Sequence, residues 1–340
     1  MYDEGHYARA VARHVGTRHH EIPLSARDVL EAIPSVLDSQ DEPFADASAV
    51  PTWLLAREAR RSIVVALSGD GADELFAGYR KYQGELLQRY YFALPAPFRQ
   101  AVIEPLARRL PESRGSRWLE GPRRIRRFLD GADPDTASRL LGWMTLFRPE
   151  DLREVARAGV SPERARALLL PRLRERIGAV ADPINQALYV DVGLCLPDQM
   201  LVKVDRMSMR HGLEVRTPFL DVRVVELAFQ IAGTDKLRPG QGKQIVLDTF
   251  KSMLPEELHR RPKRGFDLPL ANWFRGPLEP FVQDLLSSEA VRNQPWIDPE
   301  GVRGLLEAHR ARRRDNTPRL WTALSFLWWV RRTSGGKAWQ

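Results

Sequence analysis

The sequence predicts an α/β fold: a parallel-sheet core joined to a large all-helical extension. Three observations carry this. Residues 63–67, IVVAL, form a β-branched run with no polar residue, the pattern of a parallel strand covered on both faces. SGDG follows at once at 68–71, a glycine turn after the strand, and DELF at 73–76 begins a helix. From about Tyr82 to Asn185 the pattern becomes helical, arginine-rich and broken by prolines, without a persuasive strand.

The remaining elements follow in chain order. Tyr7 to Val15 sets small apolar and basic residues at helical spacing and stops at Gly16, a C-cap signal. HHEIPL, 19–24, is short, bounded by turn residues, and expected as a strand. After another helical segment comes DEPFADASAVPTWLLAREARRS, 41–62, where Ser48 and Pro51 open a helix that carries Trp53, Leu54 and Leu55 and ends near Arg61. LPDQMLVKVDRMSMRHG, 196–212, has a complete helix grammar: Pro197 in the first turn, Asp198 beside it, His211 in the last turn and Gly212 as the stop. Met200, Val204, Met207 and His211 form one stripe, read as core packing, with Lys203, Arg206 and Arg210 mostly elsewhere. Beyond Pro218, Asp221 is placed to N-cap a helix through VRVVELAFQIAG.

Composition narrows the function classes. The chain has 340 residues, 43% of them hydrophobic, enough for a large core in one domain or two. Its net charge of +8 suits a polyanionic partner, but the arginines are scattered. The dense clusters, RRIRR at 123–127 and RARRR at 310–314, are expected as solvated helix faces, and no nucleic-acid partner is expected. The single cysteine, Cys195, excludes an internal disulfide and offers no metal-ligand cluster; it is expected as a buried structural thiol in a reducing compartment. The N-terminus lacks the apolar stretch of a secretory signal. The longest apolar run, LWTALSFLWWV at 320–330, is too short for a bilayer and reads as a core helix. A cytoplasmic protein without a membrane partner is therefore expected.

In an open parallel sheet, ligands collect at the carboxyl ends of strands, where a loop presents backbone N–H groups. SGDG occupies that place. Bare carboxylates would repel phosphate, so a phosphate role for this loop calls for a bridging divalent cation, and Asp70 and Asp73 are the natural oxygen ligands or orienting groups for Mg²⁺. The alternative is that Asp70 caps the helix while Asp73 or Glu74 completes a capping box.

The wider motif set bears on that choice. SGDGADELFAGYRKY (68–82), LPDQMLVKVDRMSMRHGLEVRTPFLD (196–221), GQGKQIVLDTF (240–250) and RPKRGFDLPLANWF (261–274), with DEPFADASAVPTWLLAREA upstream, resemble the synthetase domain of glutamine-hydrolysing asparagine synthetase. The resemblance implies an ATP-pyrophosphatase-like, adenine-nucleotide-binding α/β core, incomplete here at its N-terminus. It divides residues 1–340 into a remnant core at 1–85, a variable helical region at 86–185 and an active-site-completing helical region at 186–335. The implied reaction uses ATP and Mg²⁺ to convert the aspartate side chain to β-aspartyl-AMP and pyrophosphate, after which ammonia displaces AMP. That is a carbon–nitrogen ligase with glutamine as amido donor. By motif, Leu67, Ser68 and Gly69 would contact the adenylate, and Asp73 would bind Mg²⁺. Asp70 would handle the aminated intermediate, with Tyr79 in the same catalytic motif. Lys243 would steady pyrophosphate charge, and Arg206 would bind near the phosphates. Taken singly, Lys243 and Arg206 read as solvated cations and Tyr79 as a core aromatic; only their joint occurrence in the family motifs favours the functional reading. Lys263 and Arg264 are placed to line the same cleft, without an assignable role. The oligomeric state stays open, a homodimer being compatible.

Two departures from the family pattern matter. Position 2 is Tyr2, not the cysteine nucleophile with which the family's glutaminase begins, so glutamine is expected to serve only through a glutaminase domain absent here. The pyrophosphate loop SGGxDS is expected a few tens of residues before residue 1. The SGG at 334–336 follows no strand and puts Ala338 where the aspartate belongs, so it reads as a decoy. The chain is therefore expected to be N-terminally truncated and to have little or no activity alone. Relatives of the family close β-lactams, cyclise peptides or amidate carbohydrate-linked substrates, which makes another acceptor carboxylate the alternative. A basic binding module would leave Asp70, Asp73 and Glu74 unexplained.

Overall fold

The computed structural model describes residues 4–110, 120–259, 265–266 and 268–334. They divide into two compact units: Met1–Ser39, Asp46–Leu87 and Arg176–Leu268 in one, Gln40–Ala45, Gln88–Glu175 and Pro269–Gln340 in the other.

The first unit opens with α1 (Gly5–Val15), which closes on Gly16 at φ 74°, as its sequence predicts. Helix α2 (Ala26–Asp38) starts in a capping box: Ser25 Oγ accepts from the Asp28 N–H at 3.1 Å, and the Asp28 carboxylate accepts from the Ser25 N–H at 2.8 Å. Helix α3 (Ala49–Ala59) falls on the expected span and packs on α2. Strand β1 (Val65–Leu67), α4 (Ala72–Leu75) and the first half of α5 (Lys81–Ala93) come next. After residue 176 the unit continues with α6 (Pro183–Gly193), then a π-helical turn at Leu196–Leu201 that runs without a break into α7 (Val202–Met209). The expected helix is there, and Gly212 stops it at φ 69°, but its first turn carries an extra residue, a feature frequent near functional sites. Strand β2 (Glu214–Arg216), α8 (Val222–Gln230), the short helix Gly233–Lys236 and α9 (Gln244–Phe250) follow, with the Asp221 side chain capping α8 through the Arg223 N–H.

Strands β1 and β2 pair in parallel, with Val65 opposite Glu214, Ala66 opposite Val215 and Leu67 opposite Arg216. Two expectations need correction here. Residues 19–24 form no strand; with no partner ladder, Glu21 instead accepts an ion pair from Arg9 at 2.9 Å. The IVVAL run is a parallel strand only at Val65–Leu67, and it is not covered on both faces: Ile63, Val64, Val65 and Leu67 are exposed, Leu67 by 74%. A β-branched composition records the cover a strand favours. Among the described residues, β2 takes one edge of β1 and no layer closes over those side chains.

One buried cation of this unit gives a pH-dependent stability. Lys236 is fully buried, donates to Asn185 Oδ1 at 2.8 Å and sits 5.1 Å from the Phe229 ring centre. Burial lowers its pKa to about 8. An unfolded lysine titrates near 10.4. Between those values the unfolded chain holds a proton that the folded one has released, so stability rises with pH across that window and is flat below it. Urea unfolding from pH 7.5 to 10 should show this rise, up to about 1.4 kcal/mol per pH unit, and Lys236→Met should lose it. Parallel curves for the two proteins would exclude the effect.

The second unit is helical throughout its described residues, apart from an isolated bridge between Ala156 and Ile297. Its central element is the helix Thr317–Thr333, the expected core helix, burying Leu320, Trp321, Leu324, Leu327 and Val330 against Glu279–Ser287 and Pro299–Arg310. Among the described residues no helix is long and apolar enough to cross a membrane. The 310–314 basic cluster is only partly a solvated face. Arg312 and Arg313 are exposed, but Arg310 pairs with Glu279 at 2.6 Å and Arg314 with buried Asp151. Asp151 also accepts from Arg319 at 2.7 Å and Arg148 at 3.2 Å.

Candidate active site

The site is built where β1 gives way to α4. The Ser68 N–H donates to Arg216 O at 2.8 Å, extending the β1–β2 pairing into the loop. Gly71 follows at φ 89°, and a Cβ there would lie 2.3 Å from Leu220 Cδ2, so both conformation and space call for glycine. Leu75 and Phe76 then pack against Ala228, Val224 and Val225 of α8 and Ile245 and Val246 of α9. Burying such side chains is worth about 1.5–3 kcal/mol each, and it fixes the roll of α4 and with it Asp73 and Glu74.

The three acids have three different jobs, and capping is none of them. Gly71 is the N-cap of α4, with no side-chain cap. Asp70 accepts a hydrogen bond from the Ser68 hydroxyl. Asp73 Oδ1 lies 2.9 Å from the Lys243 ammonium. Glu74, 1% exposed, accepts from the Tyr79 hydroxyl at 2.6 Å. Burial pushes the Glu74 carboxyl up, with the Tyr79 bond acting the other way; burial and the Glu74 charge together push the Tyr79 phenol up.

The segments that carry Asp73 and Lys243 meet backbone to backbone. The Lys243 N–H donates to Phe76 O at 2.8 Å, and Ala77 and Lys243 both hold left-handed conformations, φ 59° and 56°. Such conformations cost on the order of 1 kcal/mol or more each and persist where the surroundings enforce them. A Cβ on Gly242 would lie 2.0 Å from Ala77 O, and one on Gly78 1.8 Å from Asp73 Oδ1. Two glycines thus permit the approach.

Behind this pair lies a second polar group. Buried Asp191 on α6 accepts from Lys81 Nζ at 2.6 Å and from the buried Tyr82 hydroxyl. Lys81 Nζ is 5.7 Å from the ring centres of both Tyr79 and Tyr82. Cys195 is half-buried, its thiol pushed up to about 12 by burial and then by Asp191, which makes it inert as a nucleophile.

Of the predicted site residues, Ser68 and Asp70 meet each other, Asp73 meets Lys243, and Tyr79 meets Glu74. Gly69 and Leu67 are exposed at the strand end, and Arg206 is half-buried on α7. Lys263, Arg264 and the glycines of the 334–336 SGG lie outside the described residues, as does Tyr2. The Glu74–Tyr79 bond and the Asp191 group are not legible in the motifs. Nor is the role of Lys203, which sits buried on α7 and reaches Asp46 at 3.3 Å and Ser48 Oγ at 3.0 Å. Those oxygen partners are more than 150 positions away, so no local pattern announces them; the sequence clue is a lysine beside an otherwise apolar stripe.

Among the described residues no three His, Cys, Asp or Glu side chains gather as a metal cluster. A single carboxylate still fits Mg²⁺, which takes one or two carboxylates and completes its shell with phosphate oxygens and water. Asp73 already holds a cationic group at Oδ1, so the position is built for positive charge.

A parallel strand ending in a glycine turn, with acids from its helix and a lysine from a distant segment, defines an α/β protein whose polar groups gather at a strand's carboxyl end, the place where open parallel sheets bind their ligands. The chain matches the family described as Asparagine synthase over residues 1–331 and belongs to that family. A Mycobacterium tuberculosis protein named "Putative asparagine synthetase", glutamine-hydrolyzing, is 31% identical over 337 residues, covering 96% of this chain and 48% of the relative. Bacillus subtilis asparagine synthetase 1, also named glutamine-hydrolyzing, is 28% identical over 96% of this chain and 50% of its own length. A Penicillium rubens protein named amidase chyE is 22% identical over 87% of this chain and 46% of its own. The chain thus spans about half the length of the curated relatives it matches.

Proposed function

We propose that these residues are the synthetase part of an enzyme that makes asparagine from aspartate, ATP and ammonia, the ammonia coming from glutamine in a longer polypeptide. The Asp73–Lys243 pair at the carboxyl end of β1 carries the proposal, because it joins a cation-binding carboxylate to a point positive charge beside a glycine turn. The backbone at Leu67, Ser68 and Gly69 lies against the adenylate. Lys243 meets the phosphate charge that develops as pyrophosphate leaves, and Arg206 adds a second positive group. Asp73 holds Mg²⁺, which screens the phosphates. Asp70, oriented by Ser68, faces the acyl carbon where ammonia enters, and Tyr79, fixed on Glu74, walls that end of the cleft. The single cysteine suits a reducing cytoplasm.

The pyrophosphate loop SGGxDS belongs, in this proposal, to polypeptide outside these residues, so the 340-residue chain alone should show little or no turnover. Aspartate-dependent exchange between ATP and labelled pyrophosphate is the test. The full-length protein should catalyse it, and Asp73→Asn or Lys243→Met should lower it about 100-fold, the scale of removing one transition-state contact. Exchange driven by a different carboxylic acid and not by aspartate would move the assignment to another acceptor. Robust asparagine formation by the 340-residue chain would overturn the truncation.

A further inference from the structure

We propose that the Lys243 ammonium is a resident counter-cation for Asp73, exchanged for a divalent cation when the site fills, and that the exchange frees Lys243 to meet phosphate. The proposal rests on the cleft being the nucleotide site described above.

The geometry begins with one oxygen. Asp73 Oδ1 lies 2.9 Å from Lys243 Nζ, with the two side chains 14% and 29% exposed. Gly78 forms a wall of the same slot: a Cβ there would lie 1.8 Å from Oδ1 and 2.5 Å from Lys243 Cε. Mg²⁺ binds a carboxylate oxygen at about 2.0–2.1 Å, which would put it within about 5 Å of an ammonium held 2.9 Å from the same oxygen, so the two like charges compete for Oδ1. Other charged groups nearby are committed: Glu74 holds the Tyr79 hydroxyl, and Lys81 is paired with Asp191.

The lysine is built to swing. Its backbone is held by the bond from its N–H to Phe76 O and by its place at the start of α9, while its four-carbon stem carries a rotatable point charge. One cation thus keeps Asp73 neutralised until another arrives. Because coupling between two sites is reciprocal, a divalent cation loosens Lys243 by the same factor by which Lys243 weakens the cation.

The test uses Mn²⁺ and the 340-residue chain, without nucleotide or aspartate, followed by electron paramagnetic resonance of the free ion. Lys243→Met should bind Mn²⁺ about tenfold more tightly than the unaltered chain, and adding Asp73→Asn should abolish the gain. Mg²⁺ should also speed acetylation of Lys243 in the unaltered chain about threefold relative to Lys81, read by mass spectrometry. That second measurement stands even where a variant fails to fold. Mn²⁺ that binds Lys243→Met no better than the unaltered chain, or Mg²⁺ that leaves Lys243 labelling unchanged, overturns the proposal. Neither readout requires turnover, so a failure here is separate from a failure of aspartate-dependent exchange.

Discussion

Replacing Asp151 with asparagine is expected to lower the free energy of unfolding by about 3 kcal/mol at neutral pH, the scale of breaking a buried ion pair from one side. Asp151 is 1% exposed and receives Arg148, Arg314 and Arg319. An asparagine keeps the shape but leaves three guanidinium groups without their shared charge. Arg148 retains Glu150 at 3.4 Å and Arg314 retains Glu154 at 3.9 Å, which limits the loss. The pH dependence has a definite sign. Burial works to raise the Asp151 pKa, but the Arg314 bond and the charges of Arg319 and Arg148 outweigh it and hold the carboxyl below its ordinary range. A depressed carboxylate stabilises above its unfolded pKa, about 3.9, and the contribution disappears as pH falls through the folded value. Urea unfolding should therefore show a large difference between the two proteins at pH 7 and a smaller one at pH 3. An equal difference at both pH values would mean that packing, not charge, sets the cost.

Gly242→Ala is expected to cost about 3 kcal/mol, at the upper end of ordinary overpacking. The obstacle is main chain: the new Cβ would sit 2.0 Å from Ala77 O and 3.2 Å from Gly78 Cα, where no rotamer change gives relief. To fit it, the 242–243 segment must retreat from 76–78, stretching the bond from the Lys243 N–H to Phe76 O and drawing Lys243 from Asp73. Gly240→Ala is the control. Gly240 has φ 80°, but nothing lies within 4 Å of its Cβ position, so only left-handed strain of about 1–2 kcal/mol is added. Thermal melts should rank Gly242→Ala well below Gly240→Ala. Equal melting temperatures would remove the close approach as the reason for glycine at 242.

How much was legible depended on range. Helix α1 ends at Gly16 and α8 begins at Asp221 because a cap is written within a few residues of the element it closes. The 196–212 helix was visible in the same way, and the core helix at Thr317–Thr333 through its apolar run at 320–330. HHEIPL misled because strand propensity needs a ladder partner, which residues 19–24 do not find. IVVAL misled in part: its pairing is parallel, as its composition suggests, but cover is supplied by other elements, and four of its five residues are exposed. In the site, the motifs singled out Asp70, Asp73, Tyr79 and Lys243, but not which partner each would take.

The sequence by itself determined the helix boundaries written in caps, the glycine turn after β1 and, through four ordered motifs, the family. Each is encoded in residues close together in the chain or in a pattern preserved along it. Only the tertiary structure decided what the acids of VVALSGDGADELF do. Spacing allowed a helix cap, whereas folding gives Asp70 to Ser68, Glu74 to Tyr79 and Asp73 to a lysine 170 positions away. A side chain's charge partner is set by which backbones can approach. Here that depends on Gly78 and Gly242, whose missing Cβ atoms let two distant segments touch.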